Sequence, residues 1–139
     1  MDLTFLKKMI EGHEGRRLKP YRDTVGKLTI GCGRNLDDLG ISDAEASFML
    51  QNDIERVIGE LNHSIPWWVA LDSARRMVLV DMGFNLGVPG LSKFRNFLSA
   101  LQRGDFRTAA AEMLDSLWAR QVGKRADDLA KMMVTGKTL

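Results

Sequence analysis

Glu14-Gly15-Arg16-Arg17-Leu18-Lys19-Pro20-Tyr21-Arg22-Asp23-Thr24-Val25-Gly26-Lys27-Leu28-Thr29-Ile30-Gly31-Cys32-Gly33 is the stretch of this chain in which the helical period of apolar residues disappears. Lys19-Pro20-Tyr21 reads as extended chain, Asp23-Thr24-Val25-Gly26 as a turn, and Lys27-Leu28-Thr29-Ile30 as a returning strand. Gly31-Cys32-Gly33 predicts a tight bend or a close backbone approach, because glycine tolerates both. On either side the periodicity is helical. The chain is therefore predicted to be α+β and mostly helical, with a small β-bearing lobe followed by a helical one.

Immediately upstream, Leu3, Leu6, Ile10 and His13 fall on one stripe, predicting a helix over about 3–13 that ends at Gly15. Glu14 lies at its C-terminal end, where the macrodipole is negative and a carboxylate is out of place. Downstream, Ser42-Asp43-Ala44-Glu45 is a capping box that opens a helix to about 62. Pro66 punctuates, and a helix over about 73–86 carries Met77, Val78, Val80, Met82 and Phe84. It is apolar nearly all round, so it is predicted to be the central buried helix, with Met82 and Phe84 in the core. Gly87-Val88-Pro89-Gly90 reads as a turn. Shorter helices are predicted over about 93–103, 106–115 and 124–134, with Asp105 capping the second and Gly136 following the last.

With 139 residues, 45% hydrophobic and 27% charged, the chain suits one globular domain with one modest core. A net charge of +2 is well short of a nucleic-acid-binding signature. The single cysteine, Cys32, allows no internal disulfide, and His13 and His63 lie far apart, so a metal centre or a Ser-His-Asp site is poorly supported. No run of apolar residues is long enough to span a membrane, and Met1–Gly12 does not read as a secretory signal.

The chemistry these residues can carry is that of paired carboxylates. Cleaving a glycosidic bond needs a general acid for the leaving oxygen and a second group that attacks, or that activates water. Glu14 at a helix end and Asp23 in a hairpin turn face each other if the hairpin folds back over the helix, and Thr29 on the returning strand offers a hydroxyl to hold a water. Spacing alone favours a blander account: a solvated Glu14, an Asx turn at Asp23, and a threonine chosen for strand propensity.

The same stretch, read residue by residue, resembles the signature of the phage lysozyme family, glycoside hydrolase family 24: E-G-x-(R/L)-L-x-x-Y-x-D-x-x-G-x-x-T-I-G-x-G, with its E-x8-D-x5-T spacing. The likeness continues in Asp43-Ala44-Glu45-Ala46, similar to the opening of the family's long interlobe helix, and in Phe84-Asn85-Leu86-Gly87, similar to its F-N-x-G segment. Trp118, Gln121 and Arg125 resemble a W-x2-Q-x3-R arrangement of some members. The resemblance implies a lysozyme-like fold over residues 1–139, with a β-bearing lobe at about 14–42, a helical lobe at about 60–139 joined by the first helix, and a cleft between them. It implies a muramidase cleaving the bond between N-acetylmuramic acid and N-acetylglucosamine. Glu14 would be the general acid, and Asp23 and Thr29 would position and activate water. Arg125, with Gln121 and Asn85, would lie along the substrate. No cofactor and no metal are implied. The implied partner is the peptidoglycan glycan strand, met by a monomer held in the host cytoplasm until a holin releases it, without nucleic acid or membrane insertion. A lytic transglycosylase, or a non-catalytic peptidoglycan-binding or phage structural module on the same scaffold, are the alternatives.

Two departures stand out. Arg34 occupies the position after G-x-G where many members carry histidine, and the stretch from Arg34 to Ile41 is short. Trp67 and Trp68 read as a core or inter-helix plug rather than a sugar platform. The eight methionines read as core filler, and Cys32 as a small strand residue without a histidine to activate it.

Overall fold

The computed structural model describes residues 1–139. In chain order it contains α1 (Leu3–Glu14), β1 (Arg17–Arg22), β2 (Leu28–Gly31), β3 (Arg34–Asn35), α2 (Asp43–Ser64), a 3-10 turn (Pro66–Ala70), α3 (Ser73–Leu86), α4 (Val88–Ser92), α5 (Arg95–Gln102), α6 (Phe106–Leu114), α7 (Leu117–Val122) and α8 (Lys124–Thr135). This is the α+β, mostly helical lysozyme-like architecture. No helix is long and apolar enough to cross a membrane. The chain divides into two compact units, Met1–Met49 and Leu50–Leu139, with the boundary inside α2. The first helix thus groups with the sheet, whereas the sequence places it with the helical lobe.

In the first unit the sheet is antiparallel in the order β1-β2-β3. Arg17 pairs with Gly31, Tyr21 with Thr29 and Arg22 with Leu28, with an irregularity between the first two pairs. β3 pairs Asn35 with Thr29 and Arg34 with Ile30. This third strand is not predicted from the sequence, because two residues carry no readable alternation. Asp2 caps α1 by accepting from the Phe5 amide at 3.0 Å. No residue of α1 is buried, so its apolar stripe is real as a pattern but covers no core within this unit. Thr29 is the one buried residue of the unit, which is otherwise held by turns, caps and ion pairs.

The hydrophobic core lies wholly in the second unit and runs from Val57 to Met133. α6 packs against α5 and α8, and α3 packs against α4 and α8. α3 is central, as predicted, with Val78, Leu79 and Met82 fully enclosed. Gly83 lets the helices close up, since a Cβ there would meet Val57 Cγ1 at 3.0 Å. The helix is not buried all round, however. Phe84 is 42% exposed and Met77 50% exposed, so Phe84 is not the core residue its pattern predicts. Of the methionines, Met82, Met113, Met132 and Met133 fill the core, while Met1, Met9, Met49 and Met77 do not. Trp68 is buried and donates its indole N–H to Asn62 Oδ1 at 2.7 Å, a core plug with its polar handle satisfied.

Two short helices escape sequence reading. α4 occupies the segment read as a turn: Pro89 fits the first helical turn, where no intrahelical N–H bond is lost. α7 is too short for periodicity, although Ser116 caps it by accepting from the Ala119 amide at 3.0 Å. Arg75 fastens the far end of the chain. Its guanidinium donates to the Met133 carbonyl at 2.8 Å and the Val134 carbonyl at 3.1 Å, pairs with Asp72 at 3.0 Å, and stacks 3.3 Å over Phe106.

Candidate active site

The first unit assembles Glu14, Asp23 and Thr29 around the β1–β2 hairpin. The turn forms as its residues require: the Gly26 amide donates to the Asp23 carbonyl at 3.0 Å, and Gly26 takes φ +86, which a side chain would resist. Asp23 Oδ1 accepts from the amides of Val25 at 2.9 Å and Lys27 at 2.8 Å. This is the Asx turn of the bland account, and it also aims the carboxylate, leaving Oδ2 without a protein partner. The Asp23 amide donates to the Lys27 carbonyl at 2.9 Å, and the Thr29 hydroxyl donates to that same carbonyl at 2.8 Å. One carbonyl oxygen therefore joins Asp23 to Thr29. Because its proton is engaged there, the Thr29 hydroxyl can only accept from a further partner.

Lys27 is fixed from its other end as well. Its ammonium meets Asp38 at 3.1 Å, and this hydrogen bond is the main reason its proton is held above the ordinary range. Asp38 in turn is held below the ordinary carboxylate range by Lys27 and by Asn35, whose Nδ2 donates to it at 2.9 Å. The Leu28 amide donates to Asp37 Oδ2 at 2.8 Å. Residues 35–38 thus brace the start of β2, and with it the Asp23–Thr29 pair.

Glu14 ends α1 and is exposed. Its carboxylate lies on Gly33 so closely that a Cβ at position 33 would sit 2.7 Å from Oε2. Gly33 also takes φ +79, so the close approach predicted for Gly31-Cys32-Gly33 occurs against Glu14. Glu14 therefore stands at the open end of the hairpin and Asp23 at its closed end, with Thr29 paired to Tyr21 between them. Cys32 is exposed and free.

The second unit holds the remaining predicted residues. Arg125 is engaged by Asp81: its Nε donates to Asp81 Oδ1 at 2.7 Å and its Nη2 to the Asp81 carbonyl at 3.4 Å. Both line a groove of about 610 Å³ with Arg76, Met77 and Phe84. Asp81 interrupts the otherwise uncharged run Met77–Phe84 of α3, but nothing local ties it to Arg125. Asn85 Oδ1 accepts from the Trp118 indole N–H at 2.8 Å, which joins two motif residues and gives Asn85 a structural task. Gln121 is exposed on α7. No three His, Cys, Asp or Glu side chains converge as metal ligands would.

Comparison with known proteins agrees with this architecture. Residues 11–132 match the phage lysozyme family. The chain is 31% identical over 121 residues to an endolysin of Acyrthosiphon pisum secondary endosymbiont phage 1, covering 84% of this chain and 80% of that one. It is 29% identical over 160 residues to probable T4-type lysozyme 2 of Dictyostelium discoideum, covering 94% of each. It is also 30% identical over 157 residues to the pre-baseplate central spike protein Gp5 of Enterobacteria phage T4, of which it spans only 27%. The fold and the matches define a lysozyme-type hydrolase. The chain belongs to the phage lysozyme family.

Proposed function

We propose that this chain is a muramidase that hydrolyses the β-1,4 bond between N-acetylmuramic acid and N-acetylglucosamine in peptidoglycan and, as an endolysin, lyses the host once a holin gives it access to the wall. Glu14 protonates the leaving oxygen. Asp23 and Thr29 hold the water that attacks. The observation that carries this reading is the shared Lys27 carbonyl, which accepts from the Asp23 amide and from the Thr29 hydroxyl, and so leaves Thr29 Oγ1 as a pure acceptor on the hairpin that carries the Asp23 carboxylate. A water that donates one proton to Asp23 Oδ2 and the other to Thr29 Oγ1 keeps a lone pair free for the anomeric carbon. Such a water is redundant if the carboxylate attacks directly, so the reading entails inversion. Arg125, Gln121 and Asn85 contribute to glycan binding, with Asp81 setting the direction of Arg125.

A second reading takes support from the spike relative, which matches 93% of this chain: a module of a phage particle on the same scaffold. A lytic transglycosylase has no use for a held water. One experiment separates these. Digest purified peptidoglycan with wild type and with Glu14→Gln, and record proton NMR of a soluble oligomer digest before mutarotation. A reducing-end α-anomer released first, with a loss of about 100-fold or more in the folded Glu14→Gln variant, is the expected result. Initial β-anomer overturns the water-holding role, an anhydro product indicates the transglycosylase, and no cleavage by wild type indicates the structural module.

A further inference from the structure

Arg34 has no role in the chemistry above, yet its side chain ties β3 to residues beyond the sheet. Its Nη1 donates to Glu45 Oε1 at 2.8 Å and to the Gly40 carbonyl at 3.2 Å. Glu45 Oε1 also accepts from the Ser42 amide at 2.9 Å, while the Ser42 hydroxyl accepts from the Glu45 amide at 3.1 Å. The capping box of α2 is therefore preassembled as the receiver for the guanidinium. The backbone of Arg34 is engaged too: it pairs with Ile30 in β3, and the next residue, Asn35, pairs with Thr29. Gly33, immediately before it, is the surface on which the Glu14 carboxylate rests.

We infer that the Arg34–Glu45 pair is a positioning clamp that pins β3 to the start of α2, and so holds Gly33 against Glu14 and Asn35 beside Thr29. The inference rests on the roles proposed for Glu14 and Thr29. A glycine in the left-handed region has no side chain to anchor it, so its place is set by its neighbours. Gly31 takes φ +71 and Gly33 φ +79, which leaves the bend before β3 hinged on two permissive residues. Without the clamp, β3 is two residues held only toward β2, by backbone bonds and by the Asn35–Asp38–Lys27 bridge. With it, the strand is tied at the side-chain end to a helix cap. Arginine suits the task because one planar guanidinium serves a carboxylate and a carbonyl together, and because it does not lose its charge with pH.

The test uses Arg34→Ala, Glu45→Ala, the double variant and Arg34→Lys, with Glu14→Gln alongside, assayed on soluble peptidoglycan fragments with folding followed by circular dichroism. In each alanine variant kcat is expected to fall about 10- to 100-fold at an unchanged KM, since a displaced acid harms turnover more than binding. The double variant is expected to fall no further than either single one, because both changes break one interaction. Arg34→Lys, which keeps the charge, should recover part of the loss. Wild-type kcat in folded Arg34→Ala, or additive losses in the double variant, would overturn the clamp while leaving an inactive Glu14→Gln to uphold the site itself. Full activity of Glu14→Gln overturns the site and the clamp with it. Should an alanine variant not fold, Glu45→Gln decides: it keeps an acceptor for Ser42 but removes the charge opposite Arg34, so reduced kcat supports the clamp and wild-type kcat overturns it.

Discussion

Gly33 shows how one position can matter to activity without contributing to the core. Its φ of +79 already disfavours any side chain, and the Glu14 carboxylate fills the space where one would go. Gly33→Ala is expected to cost about 1–2 kcal/mol from the backbone alone. The added methyl meets the tip of a flexible side chain, so Glu14 moves rather than the fold. Lytic activity should therefore fall about 100-fold while the protein stays folded at room temperature. Thermal denaturation and turbidity assays on the same preparation check this. A variant that loses stability but keeps its turnover per folded molecule would show that the Glu14–Gly33 contact is incidental. Asn85 is the converse: a residue singled out for substrate whose visible work is to satisfy the buried Trp118 indole.

Helices α2 and α3 carry separate lessons. On α3, Met82 is fully buried and Phe84 is 42% exposed, although they are two positions apart on the same apolar helix. Met82→Ala is expected to cost about 2–5 kcal/mol by leaving a cavity. Phe84→Ala should cost clearly less, because part of the ring is already in water. Urea midpoints of the two variants check the order, and a reversed order would mean that Phe84 is covered in solution. On α2, Arg34 and the Ser42 cap hold Glu45 down at about 2. A carboxylate with a lowered folded value stabilises fully above its ordinary range, and the contribution is lost as pH falls through the folded value. The cap is therefore expected to persist through mild acid and to fail only near pH 2. Carbon-13 titration of the Glu45 carboxyl should give a midpoint well below that of an unpaired glutamate, and an ordinary midpoint would remove the ion pair from the solution structure.

The molecule as a whole is unequal in its two units. The buried hydrophobic residues fall between Val57 and Met133, while the first unit buries Thr29 alone. Exposed ion pairs such as Lys27–Asp38 and Arg16–Glu11 contribute little each to global stability, so the first unit has few terms that resist local opening. Native-state hydrogen exchange is expected to show amides of α3, α5 and α8 opening near the global free energy, and those of β1 and β2 opening well below it. Equal protection in both sets would mean that the sheet unfolds only with the core. On the expected result the proposed catalytic residues sit in the softer unit, where the proposed substrate is a polymer that the hairpin has to admit.

The sequence alone determined the features whose causes lie a few residues apart. Turn chemistry placed the β1–β2 hairpin, the Ser42–Glu45 box opened α2, Asp105 capped α6, and Asp23 and Thr29 share the Lys27 carbonyl because residues 23–29 make one local structure. Tertiary structure decided the rest. Which side of α3 is covered, that Arg125 is held by Asp81, that Asn85 serves Trp118, and that Arg34 reaches the cap of α2 depend on elements distant along the chain. Local hydrogen bonds and backbone angles are set by neighbouring residues and can be read in order. Burial and side-chain pairing are set by whichever elements the whole chain brings to one place, and no single stretch contains that information.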